Sequence, residues 1–264
     1  GKLLRGQAIV VIERKGPCSL GHGFRGLGAG IGQGIAKLFA QEGATVVVNY
    51  PSEKETDNAD STLELITSDS PDSITHMANV SVENEVIEMI DSIKDRFGTI
   101  DILVNNAGIA TSAPIHEMTS QMWNELLSIH LSGTFMCTRE CLKIMYKNNY
   151  GRIINTASQL AYKGSAGFAH YTAAKGAIIS FTRSLSLEIG NKNIRANCVA
   201  PGATETRMLA DVPQEILDGI RQSIPKGNIA HIDEITPAYL FLASDAGNHF
   251  VGQCISPNGG DVFL

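Results

Sequence analysis

The chain has 264 residues, 43% of them hydrophobic and 18% charged, with a formal net charge of -6. That apolar content is ample for a core, and the acidic balance, with no basic run interleaved with aromatics, excludes a nucleic-acid-binding surface. No apolar run approaches the ~18 to 20 residues of a membrane span, and no basic segment leads into an apolar h-region at the start, so a soluble cytoplasmic protein with no membrane partner is expected.

Strand-like and helix-like stretches alternate along the chain. Ala8-Ile9-Val10-Val11-Ile12 reads as a buried strand, residues 35–40 have helical spacing ended by Gly43, and residues 44–50 read as a second strand. A strand near 73–80, a helix over 82–97 and a strand at 100–104 follow. A long helix over 119–148, a strand at 152–156 and a helix over 169–190 come next. A strand at 195–199, a polar segment over 203–226 that covers the substrate, a helix over 233–243 and a strand at 253–257 complete the series. Strict alternation without a linker predicts a single-domain α/β fold: a doubly wound parallel sheet of Rossmann-like form.

Five cysteines, Cys18, Cys137, Cys141, Cys198 and Cys254, form no Cys-x-x-Cys pair and no cluster with histidine at ligand spacing. Free thiols and no metal site are expected. Cys137 and Cys141, four apart on a helix, are read as core packing ahead of a pair of soft ligands.

Ser158, Tyr171 and Lys175 carry the chemistry. On a helix Tyr171 and Lys175 share one face about a turn apart, so an ammonium can sit close to a phenol. A free tyrosine titrates near ~10, about three units above the pH at which an acid/base works best, and a neighbouring cation lowers that gap. Ser158 follows a strand, which places its hydroxyl at the carboxyl edge of the sheet, where it can hydrogen-bond a substrate oxygen.

These residues resemble the catalytic serine and Tyr-x-x-x-Lys of the short-chain dehydrogenase/reductase superfamily. The resemblance runs from roughly residue 26 to residue 260 and includes Asn105-Asn106-Ala107-Gly108, Pro201-Gly202 with Thr204 and Thr206, and the glycine turn of Gly26, Gly30, Ile31 and Gly32. It is closest to the branches containing 3-oxoacyl-carrier-protein reductases and glucose 1-dehydrogenases. It implies hydride transfer between a nicotinamide dinucleotide and a small-molecule ketone, aldehyde or alcohol. In that reading Ser158 holds the oxygen, Tyr171 is the acid/base, and Lys175 lowers the Tyr171 pKa and holds the ribose. The implied cofactor contacts are the glycine turn, Asn49, Tyr50, Asn79, Val80, Asn106, Ala107, Gly108, Tyr171, Lys175, Pro201, Gly202, Thr204 and Thr206. A homotetramer is implied as well. A catalytically weak dinucleotide-binding or scaffold member of the same fold is the second reading.

The chain departs from the family's pattern in four places. About a dozen extra residues, 13–24, separate the first strand from the glycine turn, and Arg25 replaces a threonine. That segment bulges outward and supports the dinucleotide, displaces the turn and obstructs it, or is an irregularity with no selected role. His130 stands where the family has a catalytic asparagine, and reads as a structural histidine ahead of a proton relay. Asn79 and Asn258 replace aspartates; the Asn79 side-chain oxygen can still accept from an adenine amino group. At the end of the second strand, Asn49-Tyr50-Pro51-Ser52 offers no carboxylate to ribose hydroxyls, and Asn49, Ser52 and Lys54 can donate to a 2'-phosphate. NADP is therefore expected, with tolerance of NAD.

Overall fold

A computed structural model describes residues 2–12, 30–206, 209 and 212–263. Its centre is a seven-stranded sheet of β1 (Ala8–Ile12), β2 (Thr45–Tyr50), β3 (Ile74–Met77), β4 (Ile102–Asn105), β5 (Gly151–Thr156), β6 (Ile194–Val199) and β7 (Cys254–Ile255), in the order β3-β2-β1-β4-β5-β6-β7. Every neighbouring pair is parallel. Strands that are apolar almost throughout belong in such a sheet, because helices cover both of its faces.

The faces separate by the two-residue period of the strands. Ile9 and Val11 of β1 look one way, with Val46 and Val48 of β2 and Ile154 of β5. Over them close Ile35 and Phe39 of α1 (Ile31–Gln41), Ile66 of α2 (Thr56–Thr67), and Tyr239 and Leu242 of a later helix at Ile232–Ala243. Val10, Val47, Leu103 and Ile153 look the other way. They meet Met89 and Ile93 of α3 (Glu83–Phe97) and Leu185 and Ile189 of another helix at Ala169–Ile189.

The expected helix over 119–148 is two helices, α4 (Ser120–Leu127) and α5 (Gly133–Asn148), joined by a π-helical turn at Ser128–Ser132. A π turn inserts one residue into the helical register and re-aims the side chains on it, which periodicity alone does not reveal. Cys137 and Cys141 lie fully buried on the inner face of α5. A one-turn helix, α6 (Leu160–Lys163), precedes α7 (Ala169–Ile189); α8 (Gln214–Ser223) lies within the segment expected to be polar and to cover the substrate, and α9 is Ile232–Ala243. Neither α2, α6 nor α8 was expected from the sequence. The strand expected over 73–80 is confined to β3, and that over 253–257 to the two residues of β7.

Strand order reverses between β1 and β4, and at that point an open α/β sheet leaves a crevice beyond its carboxyl ends. β1, β2, β4 and β5 end there at Ile12, Tyr50, Asn105 and Thr156. Among the described residues no helix is long and apolar enough to cross a membrane.

Candidate active site

β5 delivers Thr156, Ala157 and Ser158 to the crevice, and α7 lays Tyr171 and Lys175 across it. The Ser158 hydroxyl accepts from the backbone N–H of Leu160 at 3.2 Å, which fixes it at the start of α6. One turn along α7 the Lys175 Nζ donates to the carbonyl oxygen of Thr156 at 2.6 Å and lies 5.7 Å from the centre of the Tyr171 ring. Ser158 and Lys175 are buried, and Tyr171 is half-buried.

Burial governs the protonation of both α7 groups. It pushes the Tyr171 phenol above its ordinary range, and the Ser158 hydroxyl offsets part of that. It draws Lys175 from 10.5 to about 7. Burial of the lysine therefore opposes the charged form that is expected to lower the phenol's pKa.

His130 occupies the π turn, fully buried, with its Nε2 2.9 Å from the Ile109 amide nitrogen and 2.8 Å from the Ile109 carbonyl oxygen. The tautomer decides which of the two contacts is a hydrogen bond. Its ring meets the Tyr171 ring edge-on, with centroids 5.5 Å apart and planes at 79°. A Cβ on Gly108 would come within 2.5 Å of the His130 Cε1, so the glycine leaves the room that the imidazole fills. The structure thus brings together Ser158, Tyr171, Lys175, His130 and Gly108.

The cofactor residues divide. Gly30 caps α1 in an extended conformation with no side-chain hydrogen bond and no acidic residue in the first turn, which leaves the amides at Ile31 and Gly32 facing the crevice end of the sheet. An extra Cβ at Gly34 would strike Ile232 of α9 at 2.3 Å, so this helix packs closer than a side chain would allow. The open N-terminus of α1 fits a dinucleotide pyrophosphate. Gly26 and the segment 13–24 lie outside the described residues.

Asn49 does not stand ready to donate to a ligand. It is fully buried, and its amide nitrogen is spent on the carbonyls of His76 at 3.2 Å and Ala78 at 2.9 Å, tying β2 to β3. Asn79 also differs from expectation: its side-chain oxygen accepts from the Ser81 N–H at 3.1 Å and the Ser81 hydroxyl at 2.8 Å, so the acceptor assigned to adenine closes a local turn. Tyr50 is half-buried at the end of β2, and Val80 packs beneath the start of α5. Ala107 is half-buried against the core.

On the far side, Pro201 accepts from the Gln159 N–H at 3.1 Å, and the Gly202 N–H donates to Pro257 at 3.0 Å. The Thr204 hydroxyl closes back on the Gly202 carbonyl at 3.0 Å, while the Thr206 carbonyl accepts from Leu209. Asn258 donates to Ser256 and to the Val262 carbonyl and accepts from Gly260, so it organises the C-terminal turn that Gly202 approaches.

Sequence reasoning passed over a buried polar framework under the site. Asn105 donates to Thr138 of α5 and Asn155 of β5, Asn155 donates to Thr182 of α7, and Thr182 accepts from the Cys198 thiol. A second chain joins Tyr239 to Thr156 at 3.0 Å and Thr156 to Asn106 at 3.3 Å. Polar residues inside apolar strands were the available signal for Asn155 and Thr156. For Tyr239 there was none, since a lone aromatic on an apolar helix reads as core.

A family model described as Enoyl-(Acyl carrier protein) reductase matches residues 26–261. The chain is 33% identical to the 3-oxoacyl-(acyl-carrier-protein) reductase of Thermotoga maritima, covering 90% of this chain and 95% of that protein. It is 34% identical to the 3alpha-hydroxysteroid dehydrogenase of Mediterraneibacter gnavus, covering 87% and 92%. A solved short-chain dehydrogenase/reductase from Brucella melitensis, described as a glucose/ribitol dehydrogenase, superposes with a TM-score of 0.85 at 30% identity over 99% of both chains. With its sequence and fold matched over most of its length, the chain belongs to the short-chain dehydrogenase/reductase family, oxidoreductases that use a nicotinamide dinucleotide to interconvert carbonyl groups and alcohols.

Proposed function

We propose that Ser158, Tyr171 and Lys175 perform this chemistry on a ketone or secondary alcohol. The observation that carries the reading is the Tyr171 ring 5.7 Å from the Nζ of a buried lysine anchored on the Thr156 carbonyl, with Ser158 two residues beyond that carbonyl at the same strand end. When bound, the dinucleotide supplies or accepts the hydride. In reduction the Ser158 hydroxyl holds the substrate oxygen and the Tyr171 O–H gives it a proton; in oxidation Tyr171 takes that proton back. Lys175 holds the ribose, and its ammonium favours the phenolate whenever it is charged. His130 serves as a positioning residue: its ring packs between the loop that follows β4 and the Tyr171 ring.

The amides at Gly30, Ile31 and Gly32 hold the pyrophosphate, and Asn106, Ala107, Gly108 and the stretch from Pro201 to Thr206 flank the nicotinamide side. The dinucleotide is NADP with tolerance of NAD. With Asn49 committed to β3, this preference rests on the absence of a carboxylate at the end of β2 and on exposed Ser52 and Lys54 just beyond it. The assembly is a homotetramer built on α5 and α7, whose outer faces expose Phe135, Tyr146 and Leu187, the last 88% exposed. Light scattering tests it, with a monomer at micromolar concentration as the contrary result.

The test of function is a panel of ketones and secondary alcohols assayed with NADPH and NADH. Turnover of at least one substrate by the wild type, abolished in Tyr171→Phe, is the expected result. Dinucleotide binding without turnover of any substrate would favour the scaffold reading.

A further inference from the structure

The active-site edge of β5 is held from both faces of the sheet. On one face, Lys175 of α7 donates to the Thr156 carbonyl at 2.6 Å. On the other, Tyr239 of α9 reaches the Thr156 side chain: its hydroxyl lies 3.0 Å from Thr156 Oγ1, which lies 3.3 Å from Asn106 Oδ1. Asn106 Oδ1 can only accept, so the single Thr156 hydroxyl proton points to it, and Thr156 must accept from Tyr239. The result is a one-way chain, Tyr239 O–H to Thr156 O–H to Asn106.

The Tyr239 side chain is fully buried. Packing alone would be served by phenylalanine, which fills the same space without a hydroxyl to desolvate. The position carries a phenol whose partner in the core is the residue that anchors Lys175. We infer that Tyr239 is a positioning residue for the reaction, holding Thr156 so that Lys175 and Asn106 keep their register from opposite sides of the strand end. This rests on the roles proposed above for Tyr171, Lys175 and Asn106.

The hydroxyl can be removed with the ring left in place. Tyr239→Phe is expected to lower kcat by roughly fivefold to fiftyfold and to raise KM for the dinucleotide, with KM for the ketone unchanged, since sub-ångström misplacement of catalytic groups has costs of this order. Thr156→Val should reproduce that split, Thr156→Ser should restore wild-type behaviour, and the double variant Tyr239→Phe/Thr156→Val should be no worse than either single one. A Tyr239→Phe enzyme with wild-type kcat and KM values, or one whose effect simply adds to that of Thr156→Val, overturns the inference even if its melting temperature falls. If Tyr239→Phe does not fold, wild-type kcat and KM values in Thr156→Val overturn it in the same way. Tyr171→Phe separates the two readings: full activity there refutes the assigned acid/base, whatever Tyr239 does.

Discussion

Asn49 gives its side-chain amide to the backbone carbonyl of Ala78 at 2.9 Å, and to that of His76 as well, locking the end of β2 to β3. A residue that the sequence places at the ribose is therefore a structural tie. Asn49→Asp puts a buried carboxylate against two carbonyl oxygens with no donor between them. It should destabilise the fold by about 3 kcal/mol, read by urea denaturation, rather than switch the dinucleotide. A stable Asn49→Asp enzyme with NAD preference would show that the tie is dispensable.

Dinucleotide choice should respond instead just beyond the strand. Ser52→Asp places a carboxylate on the exposed segment after β2 and is expected to lower kcat/KM for NADPH by roughly tenfold or more while sparing NADH. Equal losses with both dinucleotides would place the 2'-phosphate elsewhere.

Tyr171→Phe keeps the ring contacts with His130 and Phe168 and removes only the hydroxyl. Turnover should fall by roughly a hundredfold to ten-thousandfold with dinucleotide affinity nearly intact, measured by fluorescence titration. Lys175→Ala should damage both.

Because burial raises the Tyr171 phenol, it stays protonated through neutral pH, which suits a proton donor. Reduction should hold its rate across neutral pH and decline only in alkali, whereas alcohol oxidation, which needs the phenolate, should rise with pH. Initial rates in both directions across a pH series test this, and oxidation fastest below neutrality would contradict it.

Lys175 carries a stability cost whose sign follows from its depressed pKa. At low pH both folded and unfolded chains hold the proton, and the full penalty of burying the ammonium applies. Between about 7 and 10.5 the folded chain has released the proton and the unfolded chain has not, so stability rises with pH across that window. The stability of the wild type relative to Lys175→Met should therefore improve from neutral pH to pH 10.5. A pH-independent difference would mean that the ammonium is well solvated in the folded protein.

Gly108 and His130 should behave as a pair. Gly108→Ala alone drives a Cβ into the imidazole and is expected to cost roughly 2 kcal/mol, while His130→Asn combined with Gly108→Ala should cost less than the two changes summed. Thermal denaturation of the four-member cycle gives the coupling, and strict additivity would show that the contact relaxes without cost.

The sequence alone determined most of the alternating elements, the parallel sheet, the position of Ser158 just after a strand and the one-turn spacing of Tyr171 and Lys175, because each depends on local periodicity or fixed spacing: apolar runs that need two covered faces, and a phenol and an amine one turn apart. What only the tertiary structure decided was which polar groups meet across the sheet. Asn49 and Asn79 carry the right chemistry for a dinucleotide, yet the backbone of β3 and the turn at Ser81 claim them first. Tyr239 carries no sequence signal and reaches Thr156 across 83 positions of chain. The π turn that carries His130 to the Tyr171 ring likewise has no signal in residue spacing. A buried polar group must find a partner wherever folding places one, and the identity of that partner is a property of packing rather than of spacing.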